Sequence, residues 1–197
     1  MKNLIVFILF GLISFQVSAS NIKDFSTDGC SSYPDGIPLL ETNKWFHCCF
    51  THDISYWVGG SKAEKDHADG ELNRCVSEES FPLHGKVMQI GVAAGGVPDT
   101  FFPWRWGYGF SEDRTYNKMS LEEKERVFQK YDGILDTIEN LEEVLSHKQR
   151  GYMLARYELL RHNLAEEISL PREKEVENFE ERVEQVKRII ARPLEGL

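Results

Sequence analysis

Cys48 and Cys49 are adjacent, and that adjacency limits the possible folds more than any other feature of the chain. Neighbouring side chains on a helix point about 100° apart, and a bridge between neighbours would strain the backbone. Each of the two must therefore find its own partner, and only Cys30 and Cys75 remain. The two cysteines open the stretch CCFTHDISY, residues 48–56, which sets sulfur, imidazole and carboxylate on barely two helical turns. Such a stretch can be a thiolate metal site, a pair of disulfides beside a catalytic histidine, or ordinary packing.

The N-terminus separates the first two readings. MKNLIVFILFGLISFQVSAS has one basic residue, Lys2, then an apolar run from Leu4 to about Phe15, then the small-x-small sequence Val17-Ser18-Ala19. About a dozen apolar residues are too few for a membrane span, which needs about 20, but they suit a cleavable export signal. Residues 1–19 are expected to be that signal, cut near Ala19, with the mature chain secreted or periplasmic. In an oxidising compartment an even number of cysteines reads as disulfides. One of Cys48 and Cys49 should then bridge to Cys75 and the other to Cys30.

Local signals place these residues on a helix pair. A helix from about Lys44 to Trp57 should stop at Gly59-Gly60, since glycine is favoured just past a helix end. Ser61-Lys62-Ala63-Glu64 has the form of a capping box and starts a second helix running to about Ser77. So short a connection makes the two antiparallel. Residues 24–45 are turn-rich, punctuated by Gly29, Pro34, Gly36 and Pro38. Residues 84–110, rich in glycine and aromatics, fit either short strands or an apolar loop.

From Ser120 onward the chain reads as three amphipathic helices, about 120–146, 149–166 and 171–191. Phe128, Tyr131, Leu135 and Ile138 recur at helical spacing, and Val176, Phe179, Val183, Val186 and Ile190 form a stripe like that of a coiled coil. Pro171 suits the first turn of the last helix. The expected architecture is mainly α: residues 20–113 as a disulfide-linked antiparallel helix pair with its loops, and residues 114–197 as a helical extension. That extension is expected to be structural, to dock a protein partner or to self-associate.

The charge balance excludes one class of partner. The net charge is −9. Residues 20–113 hold seven Lys and Arg against fourteen Asp and Glu, and residues 114–197 hold fifteen against eighteen. Neither part offers the basic patch that a phosphate backbone requires, so nucleic acid is not an expected partner.

Geometry on the helix pair suggests a chemistry. Cys49, His52, Asp53 and Tyr56 share one helix face. His52 lies four residues in from Cys48, about 6 Å, and Asp69 lies six residues back from Cys75, about 9 Å. On facing antiparallel helices the two reach similar depth. Asp69, or less well Asp66, could accept the Nδ1 hydrogen of His52 and leave Nε2 to take a proton from water. Asp53 offers a hard anionic oxygen that, with carbonyls of the preceding loop, suits Ca²⁺.

These residues resemble the secreted phospholipase A2 superfamily. Its helix signature is met by Cys48, Cys49, His52, Asp53 and Tyr56, and its second helix by Asp69 six residues before Cys75. The turn DGCSSYPDG is similar to the loop of the short bacterial and fungal branch. The match covers about residues 24–77, and the extension after residue 113 matches nothing in that family. The resemblance implies a disulfide-linked helix pair that hydrolyses the sn-2 ester of glycerophospholipids at a membrane or micelle surface, with Ca²⁺ as cofactor. It implies His52 as general base, Asp69 as its partner, and Tyr56 as a hydrogen-bond donor to Asp69. It further implies Ca²⁺ held by Asp53 and by the loop at Gly29, Ser31 and Asp35, and the bridges Cys30–Cys49 and Cys48–Cys75. Two departures stand out: Ser55 replaces a cysteine of the animal enzymes, and their glycine-rich calcium loop is not reproduced. A binding protein that keeps the scaffold without turnover is the alternative. The aromatic run Phe101, Phe102, Trp104, Trp106, Tyr108 and Phe110 would serve either as core or as lipid contact.

Overall fold

The computed structural model describes residues 21–112, 114–141, 145–169 and 179–192. The expected export signal, Pro171 and Val176 lie outside these residues. The architecture is mainly α, and among the described residues the only β pairing is two isolated bridges, Ile22 with Phe110 and Ile37 with Glu41. No helix among them is long and apolar enough to cross a membrane.

Helix α1 spans Phe46–Val58 and α2 spans Lys62–Glu79, close to the expected bounds. Nearly every residue of α1 is buried, so it is the central helix of the fold. It ends where Gly59 takes φ 71°, and a side chain there would run into the backbone of Gly107. That close approach lets residues 107–109 cap α1: the N–H groups of Gly107 and Gly109 donate to the Tyr56 and Trp57 carbonyls at 2.7 and 3.0 Å. Helix α2 begins with the capping box, Ser61 and Glu64 each bonding the other's backbone N–H. Cys30 is bridged to Cys49 and Cys48 to Cys75, the pairing that the resemblance implied.

The first part of the 84–110 stretch, expected as strand or loop, instead belongs to a third helix, α3, Pro82–Gly95. Its sequence has three glycines and three β-branched residues, which weaken helix propensity. Tertiary packing overrides that bias. Gly85 sits where a Cβ would clash with the Asn73 carbonyl and the Ser77 hydroxyl, so the glycine allows α3 to lie directly on α2. Pro82 opens the helix at a position where its missing N–H is harmless.

The expected helix over 120–146 is interrupted. Helix α4 covers Leu121–Tyr131 and α5 covers Gly133–Glu139, followed by α6 at His147–Glu167 and α7 at Phe179–Ala191. At the α4–α5 break, Asp132 receives Tyr157 Oη at 2.5 Å and Arg161 Nε at 2.8 Å from α6. The stripe expected on α7 is also divided. Ile189 and Arg182 turn inward while Phe179 and Ile190 are about half exposed, so α7 lies on α5 and α6 as a surface helix and not as a coiled-coil seam.

A single hydrophobic cluster crosses the expected boundary near residue 113. Ile22, Phe25, Phe50, Ile54 and Trp57 from the first part pack with Val127, Tyr131, Leu135, Met153 and Tyr157 from the second. The C-terminal helices thus complete the core that α1 begins. The aromatic run is divided too: Trp106 and Phe110 are fully buried, while Phe101 is 90% exposed.

Candidate active site

The inner face of α1 turns His52, Asp53 and Tyr56 toward a cavity of about 310 Å³. The loop residues Gly29, Cys30, Ser31 and Tyr33 form one side, and Met88, Gly91 and Val92 of α3 form another. Phe102 and Trp104 close the rim. The wall is largely apolar, so the few polar groups stand in a sheltered setting. Asp53 also borders a smaller cavity with Thr27, Asp28 and Tyr108.

Asp69 reaches this region from α2 at the depth expected. It is Nε2 of His52, however, that lies 3.1 Å from Asp69 Oδ1, so the ring nitrogens exchange the roles expected from the sequence. Residue spacing sets how deep the ring sits but not how it rotates about its χ angles. With Nε2–H held by the carboxylate, Nδ1 is the nitrogen left for a proton transfer. Asp66, the other candidate partner, is on the surface, where it pairs with Lys62.

Asp69 holds two further donors besides His52. The Tyr56 hydroxyl donates to Oδ1 at 2.7 Å, and Lys65 Nζ donates to Oδ2 at 2.7 Å. The sequence reading missed Lys65. Its signal was there, a lysine four residues before an aspartate on one helix, but such pairs ordinarily face solvent. Here both partners are buried.

The protonation states follow from burial and these contacts. Burial by itself pushes the Asp69 carboxyl up, but hydrogen bonds from His52, Lys65 and Tyr56 outweigh it and hold the group below the usual carboxylate range. Burial pushes the His52 imidazole below its ordinary value against the pull of Asp69, and the Lys65 charge acts in the same direction as burial. The ring is therefore a neutral imidazole at pH 7, the state a base needs. Burial raises the Tyr56 phenol, with Asp69 adding to it, so Tyr56 remains a donor.

Asp53 is in the opposite condition. Burial pushes its carboxyl well above the ordinary range; a 2.6 Å hydrogen bond from the Thr27 hydroxyl offsets part of this, and the charges of Asp28 and Asp35 add to it. A buried carboxylate with two acidic neighbours is a donor set that a divalent cation would neutralise, and its hard oxygens match Ca²⁺. Of the other expected ligands, Gly29 and Ser31 border the same cavity. Asp35 does not, and its Oδ1 accepts the Cys30 N–H at 2.7 Å. Gly29, at φ 70°, has no room for a side chain beside Asp35. Asp35 thus shapes the loop, and of the expected ligands Asp53, Gly29 and Ser31 are the ones that border the cavity.

The thiolate alternative has one counterpart among the described residues, the close trio His47, Cys48 and Cys75. Its two sulfurs are bonded to each other, so neither can serve as a thiolate ligand.

No family model matches the chain, and neither does any curated protein or solved structure. The functional reading therefore rests on the site itself.

Proposed function

We propose that the protein is a calcium-dependent phospholipase of the A2 type, which hydrolyses the sn-2 ester of glycerophospholipids. One observation carries this reading. A neutral, buried histidine backed by a carboxylate faces the same apolar cavity as a buried acid and a turn of loop backbone. The first pair can activate water, and the second group can hold a hard cation beside it.

In this mechanism His52 Nδ1 takes a proton from a water molecule as its oxygen attacks the ester carbonyl. Asp69 keeps the ring oriented and stabilises the imidazolium that forms. Tyr56, donating to Oδ1, keeps Asp69 ionised. The imidazolium then returns its proton to the departing sn-2 alcohol oxygen, giving a free fatty acid and a lysophospholipid. Ca²⁺ held by Asp53 and the Gly29–Ser31 backbone would supply positive charge to the ester carbonyl and its developing oxyanion. The apolar wall of α3 would receive acyl chain.

The surroundings of the cavity support a lipid interface as the place of action. Leu83, Val87 and Ile90 stand exposed on α3, and Phe101 stands exposed on the rim loop. With a net charge of −9, contact with a bilayer would come from these apolar groups and not from attraction to anionic headgroups. Two disulfides fit an oxidising compartment, and we take the chain to be exported.

The test is fatty-acid release from mixed phospholipid micelles by the oxidised protein, with calcium and then with chelator. Release that stops on chelation is the expected result. No release under either condition would remove the reading, and release unaffected by chelator would remove the cation from it.

A further inference from the structure

Proton transfer by His52 and Asp69 leaves without a task the most deeply buried charge near them. Lys65 is 2% exposed, and a lysine is almost never buried to that degree without a dedicated partner. Its Nζ lies 2.7 Å from Asp69 Oδ2 and 3.0 Å from the carbonyl oxygen of Val92 on α3. It also lies 5.2 Å from the centre of the Tyr56 ring. The Tyr56 hydroxyl is 3.2 Å from the same Val92 carbonyl.

These contacts divide the labour on one carboxylate. Oδ1 serves the imidazole and the phenol, and Oδ2 is reserved for Lys65. A carboxylate gripped at both oxygens cannot rotate about its terminal torsion, so the direction in which it meets His52 is fixed. Through Val92 the same ammonium fastens the α3 wall of the cavity to that carboxylate.

We propose that Lys65 is a positioning residue for the His52–Asp69 pair, and the tie by which the substrate-facing wall on α3 is held in register with it. Lys65 acts through Asp69 and touches no reacting atom. The proposal rests on the phospholipase reading for its kinetic consequence, but the geometry it invokes can be observed without any substrate.

The experiment compares the full-length oxidised protein with Lys65→Met, Lys65→Arg, Asp69→Asn and the double variant Lys65→Met/Asp69→Asn. Two readouts are taken, calcium-dependent hydrolysis of phospholipid micelles and the downfield proton NMR line of the hydrogen-bonded His52 Nε2–H. That line is assigned by its absence in His52→Gln. In Lys65→Met the line should move upfield and exchange faster, kcat should fall about 10- to 100-fold, as when the partner that orients a metal-ligating histidine is removed, and KM should rise as the α3 wall loses its tie to Asp69. Lys65→Arg, which keeps the charge and the donors, should recover both. The double variant leaves no unpaired buried charge, so it guards against a variant that merely fails to fold. It should be no slower than Asp69→Asn alone.

An unshifted line with unchanged kcat in Lys65→Met overturns the proposal. So does a double variant slower than Asp69→Asn by the full single-variant factor, since Lys65 would then act independently of Asp69. A wild-type protein that shows the line but hydrolyses nothing strikes the phospholipase reading alone, because the effect of Lys65 on the line still decides the positioning role.

Discussion

Helices α1 and α2 bury two histidines, two aspartates and a lysine and are joined to each other and to the preceding loop by disulfides, whereas α4 to α7 contain no cysteine and, beside their apolar core, bury only three arginines among the charged groups of the described residues, Arg150, Arg161 and Arg182. The difference follows from what each region has to hold. Buried polar groups contribute little net stability and are costly wherever a partner is lost, so a helix pair that carries a site needs another source of cohesion. The later helices, free of that task, stabilise the molecule by bringing Leu135, Met153 and Tyr157 into the cluster that α1 begins. Reactivity and cohesion are thus largely assigned to different stretches of one chain.

The sharpest separation of the two should come from His52→Gln, expected to lower phospholipid hydrolysis by at least about 10²- to 10⁴-fold, the usual contribution of a general base. The melting temperature should hardly move. Undiminished turnover by the variant in a micelle assay would remove His52 as the base.

Next in size is the clasp. Replacing Cys48 and Cys75 together by serine opens a loop whose ends are 27 residues apart, and chain entropy puts the loss at about 3–4 kcal/mol. Urea unfolding of the double variant measures it. A loss below about 1 kcal/mol would mean that the helix pair holds together by packing, as its neighbours do.

Leu135→Ala is the reciprocal of His52→Gln. Leu135 is fully buried, and such a truncation costs about 2–5 kcal/mol. Because the cluster includes Phe50, Ile54 and Trp57 of α1, unfolding should remain a single transition, with kcat unchanged below it. Two resolved transitions would show that the halves are independently stable.

His47 tests the seam between the regions. It lies 3.8 Å from Glu79 of α2 and edge-on to Tyr152 of α6. Burial lowers its pKa from 6.5 to about 4, with Glu79 opposing and Lys148 reinforcing the shift. The unfolded chain therefore takes up this proton first. Stability from the neutral ring is complete above pH 6.5 and is lost as pH falls toward 4, by at most about 3 kcal/mol. Urea midpoints at pH 7 and pH 4.5 should lie closer together in His47→Phe than in the wild type, and an unaltered gap would remove His47 from the acid response.

The smallest effect concerns the cation. Calcium at a hundred times its dissociation constant should stabilise the protein by about 2.7 kcal/mol, a gain that Asp53→Asn should abolish. A melting curve equally raised by calcium in both proteins would place the ion elsewhere.

The features legible from sequence were those written in local signals. The capping box at Ser61, the stop at Gly59 and the depth match of His52 with Asp69 need only chain spacing, and all three stand in the structure. What was not legible depends on contacts between distant segments. Helix α3 forms because Gly85 fits against Asn73 and Ser77, which no propensity of residues 82–95 reveals. The ring nitrogen facing Asp69 depends on side-chain rotation, and the burial of Lys65 depends on the Val92 carbonyl arriving from α3. On α7 the expected stripe ran through Ile190, and packing on α5 and α6 buries the neighbouring Ile189 instead.

His52 and Asp69 are only 17 positions apart, and Asp53, Tyr56 and Lys65 fall between them. The side chains of the candidate site thus form one compact paragraph of the gene, and the loop before it and the helix after it supply the walls. Drift outside both that stretch and the cavity lining from Gly29 to Tyr33 and on α3 can retune heat tolerance or surface character without touching these groups. A recombination event that moves residues 46–79 as a block would carry His52, Asp53, Tyr56, Lys65 and Asp69 together.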